Sequence, residues 1–494
     1  MKVKKRLRQC RDYHKRCTRE ANSIPAEFKP TRIIYIPPDT NGTVYLTDTR
    51  GREVRSYAAL SYCWGGEERN KLKTERATIS DRQKGIECCR LPKTLQDAVT
   101  TARDLGFLYL WIDALCIIQD DDNDKVIEIE RMSQVYRGAS LTISASRAAH
   151  CDEGFLQRRN LKKQYLDVYQ LPWREDSQQS HSHDVFCSEI SYYYSETDPI
   201  DKRAWTMQEH RLARRLLRFG SGQLAFRCGQ QNCIQVDGGP NIQASGSSFS
   251  TIPEQQLSYD WRKLIEGYTS RRISKWEDRL PAISAVADEF RRKLGYEPSD
   301  YLAGLWKPML PLMLLWYIPT EGNDHTCASQ PTTSDRYPTW SWQYAPKGIQ
   351  HGMIFKPPTE SGSLCVEECR VCLKSQVAPF GMVTEGYLVV EGFMEEVIWT
   401  GTSLMWKEPG YLDLIAVVTV KWDFEMQWLV DQPLYSLEVL ELGIGYSQGL
   451  ILEMVSGITF RRVGYYESHP TEAFAGTETA RWLRHHAVQK IELI

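Results

Sequence analysis

Residues 57–66 read YAALSYCWGG, an apolar run that ends at two glycines. Short apolar runs that stop at glycine are typical of a β-strand buried on both faces. A second run of this kind, FLYLWID, occupies residues 107–113. Alternating apolar residues predict a third strand over 140–146. Strands of this type predict a parallel sheet that is covered by helices.

The segments between these strands have the apolar spacing of amphipathic helices. Over 92–105 an apolar stripe recurs every three or four residues, with Pro92 in the first turn and Gly106 as the stop. A similar stripe predicts a helix over 124–138. The order strand, helix, strand, helix, strand predicts an α/β fold, in which the three strands are parallel neighbours joined by right-handed crossovers.

The loop after the first strand carries candidate ligand-binding residues, because ligands of open α/β sheets bind beyond the carboxyl ends of the strands. Gly65 would let the backbone approach a phosphate, and Trp64 could stack on a base or a nicotinamide. We therefore predict that Ser61, Tyr62, Trp64 and Gly65 contribute to a ligand site. The alternative is a strand end followed by a buried tryptophan and a turn.

Polar residues also follow the second strand, at Asp113, Gln119 and Asp120. They could hold a ribose or a hydrated Mg²⁺. The alternative is that they cap a helix or hydrogen-bond the loop backbone, as such residues commonly do. Cys116 lies in the same loop, and we expect a buried thiol because the sequence shows no neighbour that would activate it.

A further helix is predicted from residue 203, where the chain reads RAWTMQEHRLARR. Trp205, Glu209 and Leu212 share one face of this helix, which directs the Glu209 carboxylate toward the core. An unpaired charge is costly there. Glu209 is therefore either a desolvated catalytic acid near a ribose or one half of a buried salt bridge with Arg203 or another arginine.

Composition and charge exclude several classes of protein. The 494 residues include 61 Lys and Arg against 63 Asp and Glu, a net charge of −2, which excludes a strong whole-chain field for nucleic acid or an anionic membrane. The longest apolar stretch, 308–318, is too short for a membrane span and contains two prolines. No apolar stretch follows the basic start MKVKKRLRQC, so we expect no secretory signal, no membrane span and a cytoplasmic location.

The 14 cysteines are scattered along the chain, and we expect most of them to be reduced thiols. Cys365, Cys369 and Cys372 resemble half of a zinc site, but no second pair of ligands stands at zinc-finger spacing. Cys10, His14 and Cys17 likewise resemble part of a zinc site without the remaining ligands. We therefore predict no metal site.

The rest of the chain is less regular. Residues 172–202 are polar and are expected to be irregular, while a hairpin is expected around 220–222. Helices are predicted over 261–293 and 301–317, and the Trp-rich segment is expected to be core. The predicted divisions are an N-terminal extension (1–50), an α/β domain (51–233), a linker or exposed loop (234–258), a helical, Trp-rich region (259–345) and a β-rich C-terminal region (346–494).

Four motifs occur in an order that is typical of one family. They are ALSYCWG at 59–65, LPKTLQDA at 91–98, LWIDALCIIQD at 110–120 and RAWTMQE at 203–209. In these motifs the chain resembles the fungal heterokaryon-incompatibility (HET) domain proteins. Three further blocks, at 278–283, 302–306 and 338–342, are similar to the region that often follows the domain in that family.

The resemblance implies a role in fungal nonself recognition and regulated cell death. HET domains in turn resemble TIR domains, which have a flavodoxin-like sheet. Some TIR domains cleave NAD with a glutamate in a Trp-x-x-x-Glu pattern, and Trp205 and Glu209 have that spacing. The resemblance therefore implies Glu209 as the catalytic residue, Trp205 near the ligand, NAD as a substrate and no required cofactor.

Two alternatives to an NAD-cleaving enzyme remain open. The first is a signalling module that works through protein partners or self-association, without chemistry. The second is a HET-fold protein recruited to a step of fungal secondary metabolism. No nucleic-acid partner is expected in any of these cases, because the net charge is close to zero.

Overall fold

A computed structural model describes residues 2–22, 28–38, 42–66, 72–159, 165–174, 182–190, 198–222, 224–230, 234–235, 254–319, 337–346, 348–352, 364–375, 378–401, 404–406, 416–423, 432–443, 446–470 and 488–494. The chain divides into two compact units, residues 1–250 and 251–494. Most of the predicted linker, apart from 234–235 and 254–258, lies outside the described residues. The predicted domain boundaries stay predictions.

The first unit combines helices with one large sheet and a separate hairpin. Its helices are α1 (Lys2–Tyr13), α2 (Lys15–Asn22), α3 (Ile79–Lys84), α4 (Lys93–Leu105), α5 (Asp113–Cys116), α6 (Asp122–Gly138) and α7 (Ala204–Leu212), with 3₁₀ turns at Cys88–Arg90 and Pro199–Lys202. Its strands are β1 (Arg32–Tyr35), β2 (Thr43–Asp48), β3 (Ala58–Ser61), β4 (Ile86–Glu87), β5 (Tyr109–Trp111), β6 (Leu141–Ser144), β7 (Tyr165–Arg174), β8 (Ser182–Ile190), β9 (Arg215–Phe219), β10 (Leu224–Cys228) and β11 (Ile234–Gln235).

The large sheet has the strand order β11-β10-β9-β6-β3-β5-β1-β2-β4. β3 lies between β5 and β6 and is parallel to both, and β9 extends this parallel core beyond β6. The predicted arrangement of the three strands in one sheet is therefore confirmed, and so is the α/β fold class. The strands at both edges are antiparallel. All four residues of β3 are buried, as expected of a strand that is covered on both faces.

Local signals explain where the crossover helices begin and end. α4 ends at Gly106, whose φ of +90° is the left-handed conformation that favours glycine at a helix C-terminus. α6 begins two residues earlier than predicted, because the side chain of Asp121 accepts hydrogen bonds from the backbone N–H groups of Asn123 and Asp124. The predicted helix near residue 203 is α7, which packs against α6 and β3.

Two expectations for the first unit need correction or extension. The segment 172–202 was predicted to be irregular, but β7 and β8 form an antiparallel hairpin that includes 182–190. The sequence of 182–190, SHDVFCSEI, does not alternate between apolar and polar residues, so it does not have the usual pattern of a strand. The predicted hairpin around 220–222 is confirmed as β9 and β10, and β9 also joins the parallel core.

The second unit is rich in β-structure, as predicted. Its helices are α8 (Glu254–Thr269) and α9 (Pro281–Leu294), with 3₁₀ turns at Trp276–Asp278, Pro298–Asp300, Lys307–Met309, Leu312–Leu314 and Trp342–Tyr344. Its strands are β12 (Tyr301–Leu302), β13 (Leu305–Trp306), β14 (Trp316–Tyr317), β15 (Gln350–His351), β16 (Leu364–Leu373), β17 (Val383–Trp399), β18 (Leu404–Trp406), β19 (Ala416–Trp422), β20 (Pro433–Gly443), β21 (Tyr446–Ser456), β22 (Thr459–Pro470) and β23 (Val488–Leu493).

The main sheet of this unit runs β16-β17-β20-β21-β22-β19, with β18 and β23 paired beside it. The predicted helix over 301–317 is wrong, because short strands and 3₁₀ turns occupy that segment. Pro308 and Pro311 each lack a backbone N–H, and Gly304 has a φ of +97°, so no helix can run through it. The Trp-rich segment is core as predicted, since Trp306, Trp316, Trp340 and Trp342 are fully buried.

Across the ranges that the structure describes, none of the helices is both long and apolar enough to cross a membrane.

Candidate functional site

The carboxyl ends of β3 and β5 meet the buried face of α7 in the first unit. Side chains at or just beyond these strand ends interact there, electrostatically or through hydrogen bonds, with side chains at the start of α7, on α7 and on α6. We call them the Glu209 cluster, which consists of Ser61, Tyr62, Trp64, Asp113, Tyr136, Arg203 and Glu209. The structure therefore brings together five of the predicted site residues: Ser61, Tyr62, Trp64, Asp113 and Glu209.

Glu209 is 5% exposed, so its carboxyl group is almost completely removed from water. Burial raises the pKa of Glu209 to about 7, although the nearby Ser61 hydroxyl and the charge of Arg203 act in the opposite direction. Its Oε2 atom has no hydrogen-bond partner among the described residues. A carboxyl group with this pKa is poised to exchange a proton near neutral pH.

Arg203 supplies the positive charge of the cluster. One of its terminal nitrogens donates a hydrogen bond to the carbonyl oxygen of Tyr62, which ties the start of α7 to the end of β3. Burial alone would lower the pKa of Arg203, but Cys63, Glu209 and Asp113 outweigh that effect, and the pKa is raised. The guanidinium therefore stays charged beside two acidic groups.

Trp64 and Asp113 form the partly exposed side of the cluster. The indole Nε1 of Trp64 donates to Asp113 Oδ2 over 2.8 Å, and the backbone N–H of Ala114 donates to Asp113 Oδ1 over 2.7 Å. Burial raises the pKa of Asp113, while Arg203 and these hydrogen bonds oppose the rise. The orientation of the indole ring is thus fixed by a carboxylate at the start of α5.

Two further buried polar atoms of the cluster lack partners. Ser61 Oγ and Tyr62 OH make no hydrogen bond of ordinary geometry to any described residue, and the same is true of Glu209 Oε2. Buried polar atoms are nearly always satisfied in native proteins, so a polar ligand or an ordered water that reached these three atoms would be stabilised by them.

Gly65 occupies a position that excludes a side chain. Its φ is +89°, and an added Cβ atom would lie 2.1 Å from the Cβ atom of His150. The glycine is therefore required for close packing between the loop after β3 and the loop after β6. The predicted approach of this backbone to a phosphate is not tested.

The other predicted residues are involved in local contacts. Gln119 donates from Nε2 to the carbonyl oxygens of Asp113 and Ile117. Asp120 is exposed and accepts a hydrogen bond from the backbone N–H of Arg76. These contacts stabilise the loop between α5 and α6, as the alternative interpretation predicted. Trp205 is partly exposed in the first turn of α7.

Sequence reasoning missed the parts played by Tyr136 and His210. Tyr136 donates from its hydroxyl to the carbonyl oxygen of Leu60 over 3.0 Å, and this hydroxyl also lowers the pKa of Glu209. The Nε2 atom of His210 lies 2.9 Å from Ser144 Oγ at the end of β6. Tyr136 was identified only as part of an apolar stripe, and no local pattern indicates that its hydroxyl reaches β3.

Cys116 is fully buried, and burial raises its pKa to about 12. The thiol is therefore protonated at neutral pH, in agreement with the expectation of a buried, unreactive cysteine.

Comparisons with known proteins give a consistent result for this region. Residues 57–209, from the start of β3 to Glu209, match the family model described as heterokaryon incompatibility protein (HET). A 90-residue part of the chain is 33% identical to heterokaryon incompatibility protein 6, OR allele, of Neurospora crassa; it amounts to 17% of this chain and 13% of that relative. The match thus spans less than a sixth of the curated relative. No solved structure matches the chain. The predicted resemblance to HET domains is confirmed.

Proposed function

We propose that this chain, in which residues 57–209 form a HET domain, acts in fungal heterokaryon incompatibility by cleaving NAD at the Glu209 cluster. One observation carries the chemical part of the proposal. A buried carboxyl group whose pKa is about 7 lies beyond the carboxyl ends of parallel strands, near the side chains of Ser61 and Arg203. Perturbed carboxyl groups in such positions are typical of active sites.

The substrate class follows from the chemistry of the neighbours. Arg203 would attract a diphosphate, because a guanidinium binds phosphate oxygens well. The partly exposed indole of Trp64, held by Asp113, would offer a flat surface for a nicotinamide ring. The Trp205 and Glu209 spacing, which resembles that of NAD-cleaving TIR domains, selects NAD among the nucleotides with these groups.

The reaction breaks the bond between the nicotinamide nitrogen and C1′ of the ribose. The electron pair of that bond stays on the nicotinamide nitrogen, and positive charge builds on the ribose. An ionised Glu209 would stabilise this charge across a short distance in a water-poor site. A water molecule then bonds to C1′ and gives up a proton, for which Glu209 is the nearest acceptor. The products are nicotinamide, ADP-ribose and a proton.

A direct test incubates the purified full-length chain with NAD and measures free nicotinamide by chromatography. Glu209→Gln should lower the rate by about 100-fold or more, because it keeps the shape and removes the charge. Glu128→Gln is the matched control, since Glu128 is also a buried glutamate of this unit and accepts a hydrogen bond from Thr31, outside the cluster. No nicotinamide release by the wild type, or equal rates for Glu209→Gln, would contradict the enzymatic proposal.

We further propose that the protein is cytoplasmic and that its activation arrests or kills a fungal cell after fusion with an incompatible one. The HET match and the name of the Neurospora crassa relative support it. Partners or self-association would control activation. If the wild-type chain proves toxic in a filamentous fungus and leaves NAD intact, the signalling module without chemistry replaces the enzyme.

A further inference from the structure

Four potential metal ligands come together away from the Glu209 cluster. The side chains are Cys10, His14, Cys17 and Cys228, and their ligand atoms all lie within 4.8 Å of one another. The His14 Nδ1 atom lies 3.3 Å from Cys228 Sγ, although 214 residues separate them in sequence. Cys10 and Cys17 are fully buried, His14 is 9% exposed and Cys228 is 5% exposed. The cluster is therefore shielded from solvent.

Helix geometry places three of these residues on one face. Cys10 lies near the carboxyl end of α1, His14 links the two helices and Cys17 lies in α2. The backbone N–H of His14 donates to the carbonyl oxygen of Cys10, and that of Thr18 donates to the carbonyl oxygen of His14, so helical turns continue through the junction. Residues spaced by four and three positions then share a face.

The fourth residue comes from β10, which lies between β11 and β9 in the large sheet. Cys228 is the last residue of β10 and stands directly opposite Arg215 of β9. Arg215 Nε donates to Cys10 Sγ over 3.0 Å. The N-terminal helices are thus brought against the end of the β9–β10 hairpin by this group of side chains.

The chemistry of the set favours a metal over simple packing. Three cysteines and one histidine are the Cys₃His set of structural zinc sites. In a tetrahedral site with Zn–S bonds of about 2.3 Å, the sulfur atoms lie about 3.8 Å apart, so the observed group needs only a small contraction. The sequence does not predict this site, because Cys228 is far from Cys17 along the chain. Cys365, Cys369 and Cys372 form no comparable group in the part of the chain that is described.

We propose that Cys10, His14, Cys17 and Cys228 bind one structural Zn²⁺ ion. Three thiolates and Zn²⁺ give a net charge of −1, which the guanidinium of Arg215 offsets through its bond to Cys10. Binding releases the thiol protons, because thiolates are the ligands. All four positions are filled by protein, so the ion holds α1 and α2 to the sheet and does not activate a water.

The first experiment measures bound metal on the full-length chain, purified without chelator and with its affinity tag removed. We expect about one zinc ion per chain. Replacement by Co²⁺ should give the intense visible absorption of tetrahedral cobalt and the near-ultraviolet band of thiolate bonded to cobalt. A strong zinc chelator should lower the melting temperature by about 5 °C or more, and added Zn²⁺ should restore it.

Variants separate ligands from ordinary buried thiols. Cys228→Ser and Cys17→Ser should lose the zinc and the cobalt bands, whereas Cys116→Ser should keep both, because Cys116 is an equally buried cysteine of the same unit outside the group. The proposal is overturned if the wild type holds less than about a fifth of an ion and melts independently of zinc, or if Cys116→Ser loses metal to the same extent. A disulfide between any two of the four cysteines in the freshly purified chain would also overturn it.

Discussion

Glu209 shows how one residue can lower the stability of a fold and still be kept in it. Its carboxyl group is buried in the Glu209 cluster, with the charge of Arg203 as partial compensation. Removing a carboxylate from water without full hydrogen bonding is costly. A structural ion pair would satisfy both carboxylate oxygens, but Oε2 has no partner among the described residues. Oε2 of the buried Glu128 also lacks a partner, so the ligand-binding interpretation of Glu209 depends on its raised pKa and on its position at the strand ends.

The raised pKa of Glu209 has a measurable consequence for stability. The folded value is about 7, against an ordinary 4.5. Below pH 4.5 the carboxyl group is protonated in both states, so ionisation costs nothing. As the pH rises from 4.5 to 7, the unfolded chain ionises while the folded chain stays protonated, and stability falls by about 3 kcal/mol in total. Glu209→Gln cannot ionise and lacks this loss.

We therefore expect Glu209→Gln to gain about 3 kcal/mol over the wild type between pH 4 and pH 8, measured by urea unfolding at both values. Nicotinamide release by the wild type should increase from pH 6 to pH 8, because the ionised form of Glu209 is the active one. A stability difference that does not vary with pH would mean that Glu209 has the same pKa in the folded and the unfolded chain, and the raised pKa would be wrong.

Trp64 offers a second test at the level of one side chain. Trp64→Ala removes the proposed stacking surface and the hydrogen bond to Asp113, whereas Trp64→Phe removes the hydrogen bond and keeps a smaller aromatic ring. Overexpression in a filamentous fungus should arrest growth for the wild type, less for Phe and not for Ala. Protein levels must be matched, because loss of a large ring also destabilises. Toxicity of Trp64→Ala equal to the wild type at equal abundance would remove Trp64 from the site.

At the level of elements, the contacts of α4 explain why the motif at 91–98 contains Thr94 and Asp97. The Asp97 carboxylate is 2% exposed and accepts hydrogen bonds from the backbone N–H groups of Phe155 and Leu156 over 2.8 and 3.1 Å. Thr94 Oγ1 accepts from Gly154 and donates to the carbonyl oxygen of His150. The helix thereby holds the loop after β6, which in turn contacts Gly65 of the loop after β3.

This contact gives a stability prediction for α4. Asp97→Ala would leave two backbone donors without an acceptor and should lower the free energy of unfolding by about 3 kcal/mol. Thr100→Ala on the same helix is exposed and should change it by less than about 0.5 kcal/mol. Hydrogen exchange should show faster exchange at Phe155 and Leu156 in the Asp97 variant alone. Unchanged exchange at these two amides would refute the anchoring role.

The elements also show what a sequence can reveal. β3 and β5 could be predicted because buried parallel strands are short apolar runs, and β6 because its apolar residues alternate. The prediction for 301–317 was wrong because its mostly apolar residues have a spacing compatible with a helix, although Pro308 and Pro311 oppose one. The burial of Glu209 followed from the helix stripe. The contact between Arg203 and Tyr62 joins residues 141 positions apart, and no local pattern encodes it.

At the level of the whole molecule, both units bury charge, but they do so differently. In the first unit, Glu209 keeps an unsatisfied oxygen. In the second unit, Arg462 and Asp423 form an ion pair whose two side chains are completely buried. Burial raises the pKa of Asp423 and lowers that of Arg462, and the attraction between them opposes both changes. Each charge of this pair has its partner buried beside it, which is the arrangement that a structural ion pair requires.

Arg462 should therefore dominate the stability of the second unit. Its guanidinium bonds Asp423, donates to the carbonyl oxygens of Leu314 and Trp316, and lies 3.5 Å from the ring centre of Trp316. Arg462→Ala would leave a buried carboxylate and two buried carbonyls unpaired, so the free energy of unfolding should fall by about 3–5 kcal/mol. Arg461→Ala, next in sequence and paired with Glu453 at the partly exposed surface, should cost less than about 1 kcal/mol.

A double change of Arg462 and Asp423 to leucine should recover only part of the free energy of unfolding that Arg462→Ala loses, because the carbonyl oxygens of Leu314 and Trp316 stay unsatisfied. Full recovery in urea unfolding would show that the carbonyl bonds contribute nothing, and equal losses for Arg461→Ala and Arg462→Ala would contradict the structural role of the buried pair.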